Sequence, residues 1–393
     1  MQTTNHRFNT KSVHAGETKD SPTGPLVMPI YETSVFRFSN TQKLIDVISE
    51  KKDGYVYTRF NNPTIRTVER KLAALEGTDD AVLFSSGMAA ITTSVLTLIT
   101  TGGHIISTRD IYGGTIAFLT NILPKYGIEV SFVETTDLEE IKAAIQQNTK
   151  LIFVETPTNP TLKVADLQAI AALVKGKNIP VIVDSTFATP YNSRPVQLGA
   201  DIVVHSATKY LGGHHDLTAG VVCGTARFIH ELKTMRKSLG GTADPIAAWL
   251  LLRGLKTLGL RMKQHNANGM HLANFLANHP RVKHVYYPGL ATHPQHALAR
   301  AQMTGFGGVI SFEIEGTAET AKRFAENLRL CQLAPSLGGV ETLVSQPTTS
   351  SHYFVSSEER SKAAITDQLV RVALGIEDSE DIITDFEQAF NKI

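Results

Sequence analysis

Cysteine is scarce: Cys223 and Cys331 are the only two in 393 residues, and both fall in stretches that read as strands. Two distant thiols build neither a disulfide framework nor a CxxC metal site, and they suit a reducing compartment. Excess charge is lacking too, since 38 Lys and Arg face 37 Asp and Glu, for a net charge of +1. No segment carries the clustered basic excess that nucleic acid or an anionic membrane surface requires, which leaves a small molecule or another protein chain as partner. Long apolar runs are missing as well. The stretch from Ala81 to Thr108 has no Asp, Glu, Lys or Arg, yet it holds ten Ser and Thr residues and is broken by Gly87 and by Gly102-Gly103. A membrane-spanning helix needs about 20 mainly apolar residues in a row. The opening residues show no apolar core behind a basic start, so neither a secretory leader nor an anchor is expected, and a cytoplasmic enzyme is.

Apolar residues in short segments are plentiful, at 42% hydrophobic, enough for one large or two medium cores. Seven β-branched runs recur in the first 225 residues: AVLF at 81, HIIS at 104, IEVSFV at 128, LIFV at 151, VIVD at 181, DIVV at 201 and AGVVC at 219. Helices are expected between them at 87–100, 114–125, 137–147 and 164–176, the third opened by Asp137 as a cap. Strands buried on both faces and joined by helical crossovers predict the α/β class with a mostly parallel seven-stranded sheet, which binds ligands at the carboxyl ends of its strands. The later chain changes character. A long helical stretch from Asp244 to His279 precedes GVISFEI, RLCQLA and LVRVALG, which alternate with helices near 318–328 and 380–391. That predicts a smaller C-terminal α+β domain. The expected divisions are an arm over 1–60, a large domain over 61–245 and a C-terminal domain over 246–393. The arm has few regular periods and reads as extended, a form that persists only when tied down on something.

The segment DIVVHSATKYLGGHHD carries the most chemistry. A buried strand ends in Ser-Ala-Thr-Lys, which puts Lys209 just past its carboxyl end with Ser206 and Thr208 beside it. Burial disfavours an ammonium, and a partly neutral amine attacks an aldehyde to form a Schiff base. Alone, Lys209 equally fits a strand-end lysine reaching for solvent; the neighbouring hydroxyls, suited to phosphate oxygens, favour the chemical reading. In VIVDSTFATP, Asp184 ends another apolar strand, where a carboxylate needs a cationic partner or caps the turn that follows. With Lys209 present, a pyridinium nitrogen is the partner that makes sense of both. His214, His215 and Asp216 are adjacent, so their side chains diverge, and no third ligand is suitably spaced; no metal is expected.

DIVVHSATKYLGGHH resembles the lysine-site signature of the pyridoxal-phosphate-dependent Cys/Met metabolism family, which contains cystathionine γ-synthase, cystathionine lyases, methionine γ-lyase and homoserine-ester sulfhydrylases. The strings PIYETSVF, YVYTRFNNPT, SSGMAAI, YGGT, ETPTNPT, VDSTFATP, SLGGVETL and LVRVALGIED follow in the family's order, nearly end to end. The resemblance implies an aspartate-aminotransferase-like fold (fold type I), pyridoxal 5'-phosphate on Lys209, and a homotetramer of two tight dimers with active sites shared between subunits. It makes Lys209 the mobile base. Gly87 and Met88 open a helix after a strand, where backbone amides suit a phosphate dianion, although a plain tight turn would read the same way. The resemblance stacks the ring of Tyr112 on the cofactor, and its phenol can pass a proton to the leaving group. Tyr57 and Arg59, at i and i+2 of an extended segment, can reach one anion; the family match assigns them to the phosphate of the neighbouring subunit. Arg371, a charge inside an apolar strand, needs an anion. The resemblance supplies the substrate's α-carboxylate, with Ser336 and Asn159 as helpers.

Three departures bear on substrate. Where relatives that handle cystathionine carry polar groups, this chain has Val56, Ala117 and Pro335, and a site lacking those groups gains little from a charged distal end. Gly114 stands where methionine γ-lyases typically have a cysteine. The favoured expectation is a carbon-sulfur γ-lyase for methionine or a similar small homocysteine derivative. A γ-replacement synthase using an acylated homoserine is the alternative, followed by a cystathionine γ-lyase. A cofactor-binding regulator is also conceivable, but it would have no use for the carboxylate clamp.

Overall fold

The runs read as strands in the first 225 residues become one seven-stranded sheet: β1 (Asp80–Phe84), β2 (His104–Thr108), β3 (Glu129–Val133), β4 (Thr149–Glu155), β5 (Val181–Asp184), β6 (Ile202–Ser206) and β7 (Gly220–Gly224). The structure is a computed structural model that describes residues 6–17, 23–353, 358, 360 and 363–393. Strand order is β1-β7-β6-β5-β4-β2-β3. The sheet is parallel except for β7, which pairs antiparallel with both β1 and β6. A parallel return needs a helical crossover, and the link from Ser206 to Gly220 contains none, so the chain doubles back. The β-branched runs lack polar alternation because both faces are covered. Val82, Phe84, Ile182 and Val204 pack into one apolar layer, and Leu83, Val203 and Val221 into another.

A second, five-stranded sheet holds β8 (Val282–Tyr286), β9 (Val309–Ile314), β10 (Gln332–Leu333), β11 (Leu343–Ser345) and β12 (Leu369–Ala373), in the order β10-β11-β12-β9-β8. Its apolar face packs Phe312 and Val370 against Phe324, Phe386 and Phe390. Cys331 lies one residue before β10, not in it, whereas Cys223 is in β7; both thiols are free and buried.

Local chemistry explains where the helices begin and where they break. Asp137 does cap its helix, Leu138–Ala143, by accepting the N–H groups of Glu139 and Glu140, a contact type worth about 1 kcal/mol. The helix expected over 114–125 is instead a short helix Gly113–Ala117 that runs into a wider π turn and a 3₁₀ turn carrying Pro124. Proline has no N–H and crowds the carbonyl four residues back, so a regular helix cannot pass it. The long stretch after Asp244 divides into Pro245–Lys256 and Leu258–Ala277. At the break the carbonyl of Gly254 accepts from Arg261 Nη2 at 2.8 Å and from the Thr257 N–H at 3.2 Å. The arm is not uniformly extended. It includes the helices Phe8–His14 and Thr41–Ile48, the first docked by Lys71, whose buried Nζ donates to the carbonyls of Ser12 and Val13. Among the described residues no helix is long and apolar enough to cross a membrane.

Candidate active site

The carboxyl ends of β1, β2, β4, β5 and β6 and the amino end of β7 converge on a cavity of about 730 Å³. Of the residues singled out from sequence, Gly87, Met88, Tyr112, Asn159, Asp184, Ser206, Thr208, Lys209, Ser336 and Arg371 all line it. Tyr57 and Arg59 do not.

One corner is a helix start. Ser86 caps Gly87–Leu98 by accepting the Ala89 N–H at 3.1 Å. The N–H groups of Gly87 and Met88 have no acceptor within a helix that begins there. This start is wedged between two strand ends: a Cβ on Gly87 would lie 2.9 Å from Ser206 Cβ, and one on Gly220 would lie 2.1 Å from the Ser86 carbonyl oxygen. Glycine is therefore required at both places, and the helix terminus is brought against the Ser206 hydroxyl.

Lys209 follows β6, and its Nζ donates to Ser336 Oγ at 2.7 Å. Burial, with repulsion from Arg371 added, lowers its pKa to about 8. Asp184 ends β5, nearly fully buried, with Oδ1 accepting both the N–H and the hydroxyl of Thr186 at 3.0 and 2.5 Å. It thus caps its turn, as one reading of the sequence had it, while burial pushes its carboxyl upward.

Arg371, at the centre of β12, donates from Nη1 to Asn159 Oδ1 and from Nη2 to the Ser336 carbonyl, each at 3.0 Å. Ser336 adopts φ +93°, an uncommon conformation for a residue with a Cβ. Arg371 Nε is buried without a partner among the described residues, and burial lowers this guanidinium to about 10. Tyr112, about half exposed, precedes the helix Gly113–Ala117; a Cβ on Gly114 would lie 2.5 Å from its ring.

Sequence reasoning passed over Glu155, which ends β4, lines the cavity and accepts the backbone N–H groups of Tyr112 and Asn159 at 2.8 and 3.0 Å. An acid closing an apolar strand was the signal that picked out Asp184, and LIFVE carries the same one. Of the three departures only Pro335 lines the cavity. Ala117 is exposed, and Val56 lies beside Tyr57 on the arm with its carbonyl bonded to the Phe36 N–H. Tyr57 and Arg59 line a separate hollow. There the Arg59 guanidinium donates to the Lys237 carbonyl and sits 5.5 Å from the Tyr57 ring centroid.

The donor set fits pyridoxal phosphate. A helix start flanked by hydroxyls suits the phosphate, a lysine with lowered pKa suits the aldehyde, and a buried carboxylate whose internal bonds fall on one oxygen suits a protonated ring nitrogen. Comparison with known proteins agrees. The family described as "Cys/Met metabolism PLP-dependent enzyme" matches residues 9–391. The chain is 44% identical to the L-methionine gamma-lyase of Fusobacterium nucleatum subsp. polymorphum, covering 100% of both sequences. It is also 44% identical to the chloroplastic cystathionine gamma-synthase 1 of Arabidopsis thaliana, over 97% of this chain and 68% of that one. The crystal structure of cystathionine gamma-lyase from Lactobacillus plantarum, complexed with L-serine, superposes with a TM-score of 0.93 at 38% identity, over 99% of each chain.

Proposed function

The chain belongs to the Cys/Met metabolism PLP-dependent enzyme family, and from that membership we propose that it is a carbon-sulfur γ-lyase converting methionine, or a similarly short homocysteine derivative, to 2-oxobutyrate, ammonia and a thiol. The observation that carries the substrate is the composition of the cavity wall. Among the described residues its charged members are Glu155, Asp184, Lys209 and Arg371, and the rest of the lining, Pro335 included, is uncharged. Cystathionine brings a second ammonium and carboxylate, and leaving such charges without partners is costly. Methionine brings a thioether and a methyl group.

When bound, pyridoxal phosphate supplies an aldehyde for the substrate amine and a ring that draws off the electrons left at Cα. Gly87, Met88, Ser206 and Thr208 would hold the phosphate, Asp184 the ring nitrogen and Lys209 the aldehyde carbon. Arg371 binds the substrate carboxylate, with Asn159 and Ser336 fixing the guanidinium from behind. Lys209 Nζ takes the proton from Cα, its lowered pKa keeping part of the amine free near neutral pH. A second proton must leave Cβ before the Cγ–S bond can break; the half-exposed Tyr112 phenol then protonates the departing sulfur, and water releases the remaining carbon skeleton as 2-oxobutyrate and ammonia.

The assembly proposed is a homotetramer of two tight dimers, in which Tyr57 and Arg59 complete the neighbour's phosphate site. Their position outside their own chain's cavity supports that reading. A cytoplasmic location is proposed with it, and two free, buried cysteines suit a reducing compartment.

The test measures 2-oxobutyrate released from methionine and from cystathionine, alongside thioether formed from O-acetyl- or O-succinylhomoserine with cysteine. A higher kcat/KM for methionine is expected. Thioether formation with negligible keto acid would replace the lyase by the synthase, to which a relative of equal identity belongs by name. A marked preference for cystathionine would refute the argument from the cavity wall.

A further inference from the structure

Two walls of the cavity meet on a single carboxylate. Glu155 is buried at the end of β4, with Oε2 accepting the Tyr112 N–H at 2.8 Å and Oε1 the Asn159 N–H at 3.0 Å. Tyr112 belongs to the turn after β2. Asn159 belongs to the loop after β4, and its side chain holds Arg371 Nη1 at 3.0 Å. We propose that Glu155 is a positioning residue that fixes the span between the Tyr112 phenol and the Asn159–Arg371 carboxylate clamp. The proposal rests on the amino-acid reading of Tyr112 and Arg371 given above.

Both bonds go to main-chain N–H groups, so the carboxylate sets where two loops run rather than which rotamer one side chain takes. A carboxyl group turns one acceptor oxygen to each of the two loops. A carboxylate is nonetheless a costly brace at this depth: burial, together with Asp184 in register beside it across β4 and β5, pushes Glu155 well above the usual carboxylate range. Glutamine would fill the same space at lower desolvation cost. Its amide, however, accepts at one end only and would set an N–H donor against the Tyr112 or Asn159 N–H. The need for two acceptors accounts for an acid where an amide would otherwise be cheaper to bury.

The experiment compares cofactor-loaded parent, Glu155→Gln, Glu155→Ala, Asn159→Ala, Arg371→Lys and the double variant Glu155→Ala/Asn159→Ala. It reads the affinity for 4-(methylthio)butanoate, which is methionine without its amine, together with kcat, KM, cofactor content and melting midpoint. Glu155→Ala should weaken carboxylate binding about tenfold and raise KM for methionine, with cofactor content retained, and adding Asn159→Ala should cost little more because both act on one clamp. Glu155→Gln, of nearly the same shape, should show the same loss and carries the test if the alanine variant fails to fold. Carboxylate affinity within twofold of the parent in both Glu155 variants, or losses that multiply fully with Asn159→Ala, would overturn the proposal. If Arg371→Lys loses binding while the Glu155 variants keep it, the proposal falls alone. Undiminished binding in Arg371→Lys would remove the amino-acid reading as well.

Discussion

An ordinary lysine keeps its proton to above pH 10, so at pH 7.5 only about one side chain in a thousand is neutral. Lys209 is different because it is largely withdrawn from water and stands near Arg371, and a pKa of about 8 leaves about a quarter neutral at that pH. The sign gives a prediction. Uptake of pyridoxal phosphate by the apoprotein, followed by its visible absorbance, should speed up about tenfold per pH unit up to pH 8 and level off above it. Arg371→Gln removes a repulsion and should move that midpoint upward. Borohydride should fix the cofactor to the peptide containing Lys209. A label on another peptide, or a rate that keeps climbing to pH 10, would contradict the assignment.

At the scale of elements, the helix Gly87–Leu98 reaches the cavity only because two glycines let β6 and β7 crowd its first turn. The expected outcomes are ranked. Gly220→Ala sets a methyl group 2.1 Å from the Ser86 carbonyl oxygen, a deep overlap with backbone, whereas Gly87→Ala meets Ser206 Cβ at 2.9 Å, a shallower one. Gly220→Ala should therefore destabilise more, at the upper end of the ~1–3 kcal/mol typical of overpacking, and should lose more cofactor on dialysis. Denaturant midpoints and the residual visible band measure both. Equal effects would mean that the close approach at Gly220 does not hold the helix start. The strands of the large sheet were legible because two covered faces leave continuous apolar runs. β8 was not, since only Val285 of VKHVY is fully buried, and β11 is three residues long. The short helix after Tyr112 was overextended because the pattern continued past Pro124 while the backbone could not. Candidate site residues were legible wherever a polar group closed an apolar strand, as with Asp184 and Lys209. Glu155 meets that criterion at the end of LIFV, but its role lies in bonds to the N–H groups of two separate loops, which no local pattern reports. Where the arm's Tyr57 and Arg59 lie in space was beyond any reading of spacing.

At the scale of the whole molecule, the same chain carries a cavity with Lys209 and, elsewhere, a hollow with Arg59. Under the proposed sharing, Lys209→Ala and Arg59→Ala proteins should each be nearly inactive. Mixed and reassembled, they should form hybrid dimers with one site carrying both lesions and one carrying neither, recovering up to about half of the parent's activity per hybrid. No recovery despite demonstrated subunit exchange would place Arg59 in its own subunit's site. The segment bearing Tyr57 and Arg59 is secured within its own chain. Arg236, fully buried, donates to the Phe60 carbonyl at 3.0 Å and to the Leu83 carbonyl at 2.6 Å, and Thr242 Oγ1 donates to the Arg59 carbonyl at 3.2 Å. A monomer would thus keep the segment in place, folded and ready, with nothing opposite to receive it. Turnover then becomes a matter of mass action: on dilution, specific activity should decline with the dimer population while the far-ultraviolet signal of folded chain persists, and adding back concentrated inactive Lys209→Ala chain should raise it again.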